Sequence, residues 1–323
     1  MTRIGVIGAG AFGTALASVA RSGGNEVVLW GRDPEQIDTM RQTGVNKRYL
    51  PDVPLPDGLE ITSDLEDLQT AEILLMVLPA QHLRSFLADA SLPAAAPVLL
   101  CAKGIETGTG LLQQDILKEK KPDATVAVLS GPGFASELTQ GKPTALSLGC
   151  EDPKTGAWLQ EVLSSASLRL YLSQDTTGVA LGGALKNVYA IACGLVVGAG
   201  LGESARAALM TRGFAELARL AASMGAKTET LMGLSGFGDL ALSCTSLQSR
   251  NFAFGEKLGR EGAFGTGKTV EGIATAQAVL ALAERQNVEM PIAQAVADVL
   301  DGRQELEQVL RTLMSRPLKP ESR

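Results

Sequence analysis

The stretch Ile4-Gly5-Val6-Ile7-Gly8-Ala9-Gly10-Ala11-Phe12-Gly13 restricts the fold of this chain more than any other. A β-branched run ends in glycines spaced G-x-G-x-x-G and passes at once into the small-residue pattern of 14–20. Glycine at those places allows a tight turn at Gly8, close approach of an anion at Gly10, and contact between helix and strand at Gly13. The helix N-terminus that follows offers unpaired N–H groups and a dipole favouring a diphosphate. The hexapeptide alone is weak, but a strand precedes it, a helix follows, and a second strand over 26–30 closes a β-α-β unit. The unit predicts a bound dinucleotide. At the end of the second strand, where an acidic residue usually takes the ribose hydroxyls, the chain reads Gly31-Arg32-Asp33. Arg32 suits a 2′-phosphate, so NADPH is the expected cofactor, with NADH tolerated because Asp33 is adjacent.

Further strands are expected at 72–78, 98–102, 125–130 and 145–148, with helices at 81–90 and 110–118. This α/β alternation belongs to a doubly wound parallel sheet of Rossmann type. The Pro-rich segment 51–58 is a surface loop, and His82, just past Pro79, is a helix-start residue. From about residue 174 strands stop. Helical periods run over 179–198, 205–224, 270–286, 292–300 and 305–313, and the tail 316–323 is expected to fray. With 323 residues, the chain can fill two cores: a dinucleotide-binding domain over 1–174 and an all-helical substrate-binding and catalytic domain over 175–323.

The net charge of -6 opposes a general nucleic-acid or membrane surface, so an anionic ligand needs a local cluster of cations. Cys101, Cys150, Cys193 and Cys244 form no closely spaced pair, and the single histidine adds no ligand spacing. No metal is expected, the thiols are taken as reduced, and the location as cytoplasmic. No leader pattern precedes the first strand. The uncharged run 187–202 is shorter than a membrane span and broken by glycines, so it is expected to be buried helix rather than inserted in a bilayer. A homodimer is left open.

Within that helical pattern lies Gly182-Gly183-Ala184-Leu185-Lys186-Asn187. An ammonium there either snorkels to water or meets an anion or exchanges its proton. Two loops after strands point to the ligand side of the sheet: Cys101-Ala102-Lys103-Gly104, bringing a lysine, and Ser130-Gly131-Pro132-Gly133-Phe134-Ala135, bringing backbone N–H groups. A glycine-rich loop, 233–238, leads to the carboxylate of Asp239. Ser249-Arg250-Asn251 sets a hydroxyl, a guanidinium and an amide at a helix start, which suits a phosphate monoester. Taken singly, Ser249 is a helix cap and Asp239 a turn residue. The segment 262–269 matches a P-loop letter for letter, but polar helical spacing precedes it where a P-loop needs a buried strand.

With these motifs in order, the chain resembles the bacterial NAD(P)-dependent sn-glycerol-3-phosphate dehydrogenases. The resemblance covers nearly all of the chain and rests on Gly-Ala-Leu-Lys-Asn at 183–187, Ala-Ala-Leu-Met-Thr-Arg-Gly at 207–213, Asp239 and Ser249-Arg250-Asn251. It implies that Lys186 is the proton donor and acceptor, with Lys103 and Asp239 beside it in the catalytic group. It implies a substrate site of Lys103, Gly131, Gly133, Lys186, Asp239, Ser249, Arg250 and Asn251. Ala11, Phe12, Arg32, Lys103, Ala135, Arg250, Thr269 and Glu271 would meet the dinucleotide together with Gly8, Gly10 and Gly13, with Tyr49 near it in an Asn-x-x-Tyr-Leu-Pro loop. The chain departs from the family at Gly133, where Ser or Thr is usual, at Ser204, where Asn is common, and in a short loop between Arg250 and Glu271. The chemistry so implied is hydride transfer to the C2 carbonyl of dihydroxyacetone phosphate, feeding glycerophospholipid synthesis, with the new alkoxide protonated by Lys186. The alternatives are another two-domain NADP-linked reductase and a non-enzymatic NADPH sensor, for which a lysine aimed at the nicotinamide has no use.

Overall fold

The computed structural model describes residues 1–262, 270–304 and 308. Eight strands form one sheet: β1 (Arg3–Ile7), β2 (Glu26–Trp30), β3 (Glu60–Thr62), β4 (Ile73–Met76), β5 (Val98–Leu100), β6 (Val126–Ser130), β7 (Thr144–Cys150) and β8 (Leu168–Ser173). Their order is β3-β2-β1-β4-β5-β6-β7-β8. The helices of this half are α1 (Ala11–Ser22), α2 (Pro34–Thr43), α3 (Leu83–Asp89), α4 (Gln113–Lys120), α5 (Ala135–Thr139) and α6 (Pro153–Leu163). Strand direction departs from the expected all-parallel sheet at one place. β7 runs antiparallel to β6, and β8 parallel to β7, so the sheet is mixed. A connection through the five-residue α5 joins β6 to β7. That connection turns the chain back alongside β6 instead of crossing over the sheet.

The sequence order reverses beside β1, whose neighbours are β2 and β4. That reversal opens a crevice at the strand ends, where doubly wound sheets bind ligands. Gly8 stands there with φ +122°, a conformation that only glycine adopts freely, and a Cβ on it would meet the Val77 carbonyl oxygen at 2.6 Å. Two strands escape the pattern reading. β3 is three residues long, and β8 alternates Leu-Arg-Leu-Tyr-Leu-Ser at the sheet edge with Arg169 and Tyr171 exposed.

After β8 the chain is helical: α7 (Thr176–Gly198), α8 (Gly202–Ser223), α9 (Thr228–Met232), α10 (Asp239–Thr245), α11 (Arg250–Glu261), α12 (Glu271–Arg285) and α13 (Pro291–Leu300). The expected helix 305–313 and the fraying tail 316–323 lie outside the described residues, Gln308 apart. α7 starts on Asp175, whose carboxylate accepts from Gly178 N at 2.7 Å and from Lys227 N at 2.8 Å. Almost all its residues are buried, as a helix that is apolar on every side must be. It is the one described helix long and apolar enough to cross a membrane, and 94% of that apolar window is buried inside the fold.

Glycines let α7 and α11 touch backbone to backbone. A Cβ on Gly194 or Gly198 would collide with the carbonyl oxygens of Phe252 or Glu256, and one on Gly255 or Gly259 with those of Ile191 or Leu195. The reciprocal fit brings the start of α11 beside Lys186. α11 also settles the P-loop resemblance, because a helix and not a strand leads into 262–269. A buried carboxylate, Glu216, accepts from the N–H groups of Ile292 and Ala293 at the start of α13. It is held by the orphan donors of that helix.

Candidate active site

The site is assembled from the ends of β1, β5 and β6 and from α7, α10 and α11. Lys186 projects from the middle of α7 and is 9% exposed. Its Nζ donates to Asp239 Oδ1 at 2.8 Å and to Ser243 Oγ at 2.7 Å. Lys103, just past β5, donates from Nζ to Asp239 Oδ2 at 2.7 Å and to the Gly131 carbonyl oxygen at 2.9 Å. One carboxylate, 1% exposed, therefore joins two ammonium groups through its two oxygens. Ser243 donates to Asp239 Oδ1 at 3.3 Å, which closes a triangle with Lys186.

Local structure explains why these groups meet. The run 234–238 is a π-helical turn directly ahead of α10, and it sets Asp239 and Ser243 one helical turn apart on the same face. Gly182 admits the backbone of this turn, and a Cβ on Gly183 would collide with Ser130 Oγ and lie 3.5 Å from Lys103 Cγ. Small residues on α7 thus bring the strand ends up to Lys186. Asn187 ties the same corner: its Nδ2 donates to the Lys103 carbonyl at 3.0 Å, and its Oδ1 accepts from Asn251 Nδ2 at 2.8 Å.

Burial dominates the electrostatics. It lowers the Lys186 pKa below the usual lysine value, the charge of Asp239 works the other way, and Lys103 adds to the lowering. For Asp239 burial pushes upward, but the charges and hydrogen bonds of Lys103 and Lys186 outweigh it and hold the carboxyl below its ordinary value. Glu271 is raised by burial, which Arg250, Lys186 and Lys103 only partly offset. The cluster has the character of a proton-exchange site: an amine whose proton is loosened, kept in place by a carboxylate that stays ionised.

The glycine turn faces this cluster. Lys103 Nζ lies 5.8 Å from the centroid of the Phe12 ring, which brings the glycine turn and the lysine pair into one crevice. No side chain caps α1, and its first turn holds no acidic residue. Nothing lies within 4 Å of where a Cβ on Gly10 would be, whereas one on Gly13 would collide with the Gly8 carbonyl oxygen. Open backbone donors beside an empty approach at Gly10 fit a diphosphate. Ala11 opens α1 and Ala135 opens α5, both half-buried. Arg32 is exposed at the end of β2, and Tyr49 is 42% exposed on the following loop.

The remaining expected residues divide. Arg250 is exposed at the first position of α11. Its neighbours are engaged with the protein. Ser249 Oγ accepts from Phe252 N at 3.4 Å as the cap of α11, and Asn251 Oδ1 accepts from Gly272 N at 3.0 Å while Nδ2 reaches Asn187. Gly131 has φ +145°, and a side chain begun at Gly133 would stand 3.1 Å from Thr144 Cγ2. Thr269 lies outside the described residues. Sequence reasoning missed Ser243 and Asn187, although Ser243 follows Asp239 at the i+4 spacing that shares a helix face. All four cysteines are buried and unpaired. Among the described residues no group of three or more His, Cys, Asp or Glu is arranged to hold a metal.

Comparison with known proteins matches residues 3–156 to the N-terminal and 175–311 to the C-terminal part of NAD-dependent glycerol-3-phosphate dehydrogenase. The chain is 52% identical to a glycerol-3-phosphate dehydrogenase [NAD(P)+] from Paracoccus denitrificans (strain Pd 1222), covering 98% of this chain and 99% of the relative. It is 50% identical to the protein of the same name from Ruegeria sp. (strain TM1040), again over 98% and 99%. The crystal structure of glycerol-3-phosphate dehydrogenase from Coxiella burnetii superimposes with a TM-score of 0.93 at 35% identity, covering 98% of this chain and 99% of that one.

Proposed function

This chain belongs to the NAD-dependent glycerol-3-phosphate dehydrogenase family and interconverts dihydroxyacetone phosphate and sn-glycerol 3-phosphate with NAD(P)(H), and we propose that Lys186 moves the proton of that reaction. The observation that carries the assignment is the single buried carboxylate of Asp239 shared by the Nζ atoms of Lys186 and Lys103. The bound nicotinamide supplies or accepts the hydride at C2. Lys186 gives its proton to the C2 oxygen during reduction and takes it back during oxidation. Lys103 adds positive charge where the oxygen becomes anionic and, by its own charge, loosens the proton on Lys186. Asp239 keeps both amines in register and stays ionised while they exchange.

Arg250 holds the substrate phosphate by charge-assisted hydrogen bonds, with the backbone at Gly131 and Gly133 on the other side. Ser249 and Asn251 act there as supports: one starts α11 and the other pins it to Asn187. Gly8, Gly10, Ala11, Phe12 and Gly13 hold the diphosphate, with Ala135 and Glu271 nearby. Arg32, exposed and without an ion-pair partner among the described residues, takes the 2′-phosphate and makes NADPH the preferred cofactor. The chain divides at 174/175 into a dinucleotide domain and a helical domain, works in the cytoplasm and supplies glycerophospholipid synthesis.

The test is Lys186→Ala. Turnover of dihydroxyacetone phosphate should fall by about a thousandfold, within the range of a lost general acid. NADPH affinity, measured by titration of nicotinamide fluorescence, should stay within about twofold, which amounts to roughly 0.4 kcal/mol. Near-parental turnover would remove Lys186 from the chemistry.

A further inference from the structure

We propose that Arg48 sets the cofactor preference by occupying the carboxylate of Asp33, an inference that rests on the reading of Arg32 as the residue for the 2′-phosphate. Asp33 stands at the end of β2, where a free carboxylate takes the ribose diol and repels a phosphate. Here both of its oxygens are engaged. Oδ1 accepts from Gln36 N at 3.4 Å as the cap of α2, and Oδ2 lies 3.4 Å from Arg48 Nη1. Arg32, one residue earlier, is left exposed.

Arg48 is not on a loose loop. Its guanidinium carbon lies 5.4 Å from the Tyr49 ring centroid, over a ring that fixes its direction. Two residues earlier Asn46, fully buried, donates from Nδ2 to the Ala9 carbonyl at 3.1 Å and to Thr14 Oγ1 at 2.8 Å. Ala9 lies inside the glycine turn and Thr14 in the first turns of α1. Leu55 N closes the far end of the segment on the Gly44 carbonyl at 2.8 Å, beside a bridge between Val45 and Pro54. The segment that carries Arg48 is therefore fastened to the diphosphate turn itself.

The consequence is electrostatic. With Arg48 on Oδ2, the negative charge of Asp33 is cancelled beside the place Arg32 offers to a 2′-phosphate. Without Arg48 that charge repels the phosphate and the carboxylate is free to accept from ribose hydroxyls. Asp33 and Arg48 side chains are 48% and 63% exposed. Exposed pairs of this kind stabilise a fold by little, so their removal should leave the enzyme folded. Arg48 is thus a positioning residue, acting through Asp33.

The experiment compares the full chain with Arg48→Gln, Asp33→Asn and the double variant. Dissociation constants of NADPH and NADH are measured by nicotinamide fluorescence at a fixed, physiological ionic strength, because the effect is screened by salt. The parent should bind NADPH more tightly than NADH. Arg48→Gln should lower that preference by about fivefold, the upper end of what an exposed charge pair contributes. In the Asp33→Asn background, where no carboxylate remains to be released, the same substitution should change the preference by less than about twofold. An unchanged preference in Arg48→Gln overturns the inference while leaving the reading of Arg32 intact. An equal fivefold loss in the Asp33→Asn background also overturns it, since Arg48 would then touch the phosphate without Asp33. A parent that binds NADH more tightly defeats the reading of Arg32, and with it this inference. A general loss of packing would weaken both cofactors alike and leave their ratio unmoved.

Discussion

At the glycine turn the proposed binding surface is backbone, open and local: within thirteen residues the chain supplies the turn, the approach at Gly10 and the uncapped start of α1. Around Asp239 the surface is side chain, closed and assembled from afar. Lys103, Lys186 and Asp239 come from the end of β5, the middle of α7 and the start of α10, and join two buried charges to a half-buried one. The first kind of site needs only that no atom stand in the way. The second needs every charge to keep its partner, because an unpaired charge in that setting is costly. One end of the crevice should tolerate side-chain changes beside it, and the other should not.

The sharpest break of that contrast is Asp239→Asn. It leaves the buried Lys186 and the half-buried Lys103 without their anion, and removal of one partner from a buried ion pair costs about 3–5 kcal/mol. Urea unfolding at neutral pH should show a loss of that order, and turnover should fall with it. A stability loss under about 1 kcal/mol, the range of exposed pairs, would mean that the cluster is solvated. Next in size is Arg250→Ala. Loss of hydrogen bonds to a charged group costs about 1.5–3 kcal/mol, so KM for dihydroxyacetone phosphate should rise by roughly ten- to hundredfold. An unchanged KM would place the phosphate elsewhere.

Gly194→Ala tests the support beneath the cluster. The added methyl would collide with the Phe252 carbonyl oxygen, part of the backbone of α11. Overpacking of this kind costs about 1–3 kcal/mol, and a thermal midpoint unchanged from the parent would show that the two helices can move apart freely.

What was legible in the sequence follows the same division. The β1 turn, β2 and the long α7 and α8 are local patterns, and their spacing finds them within a few residues. β3 and β8 were missed because a three-residue strand and a half-exposed edge strand carry little periodicity. The reversed direction of β7 was illegible because strand direction is set by the path of the connection, and the one between β6 and β7 is long enough for either direction. At the site, Lys186 announced itself as a charge in an apolar helix. Its sharing of Asp239 with Lys103 did not, since those residues are 136 apart in the chain. Of the expected phosphate ligands in a row, Ser249 and Asn251 are bonded within the protein, a placement that their spacing alone does not reveal. Only Arg250 of the three is exposed.

Lys186 is proposed to move the proton through an amine whose pKa is lowered by burial and by a second lysine. The direct measurement is kcat at saturating substrates against pH, in both directions, on the parent enzyme. Reduction needs the protonated amine, so its rate should fall as pH rises through a value below the 10.5 of an ordinary lysine. Oxidation needs the neutral amine, so its rate should rise through the same value. Rates in both directions that stay flat up to the ordinary lysine value, or that bend the same way, would contradict the assignment of Lys186.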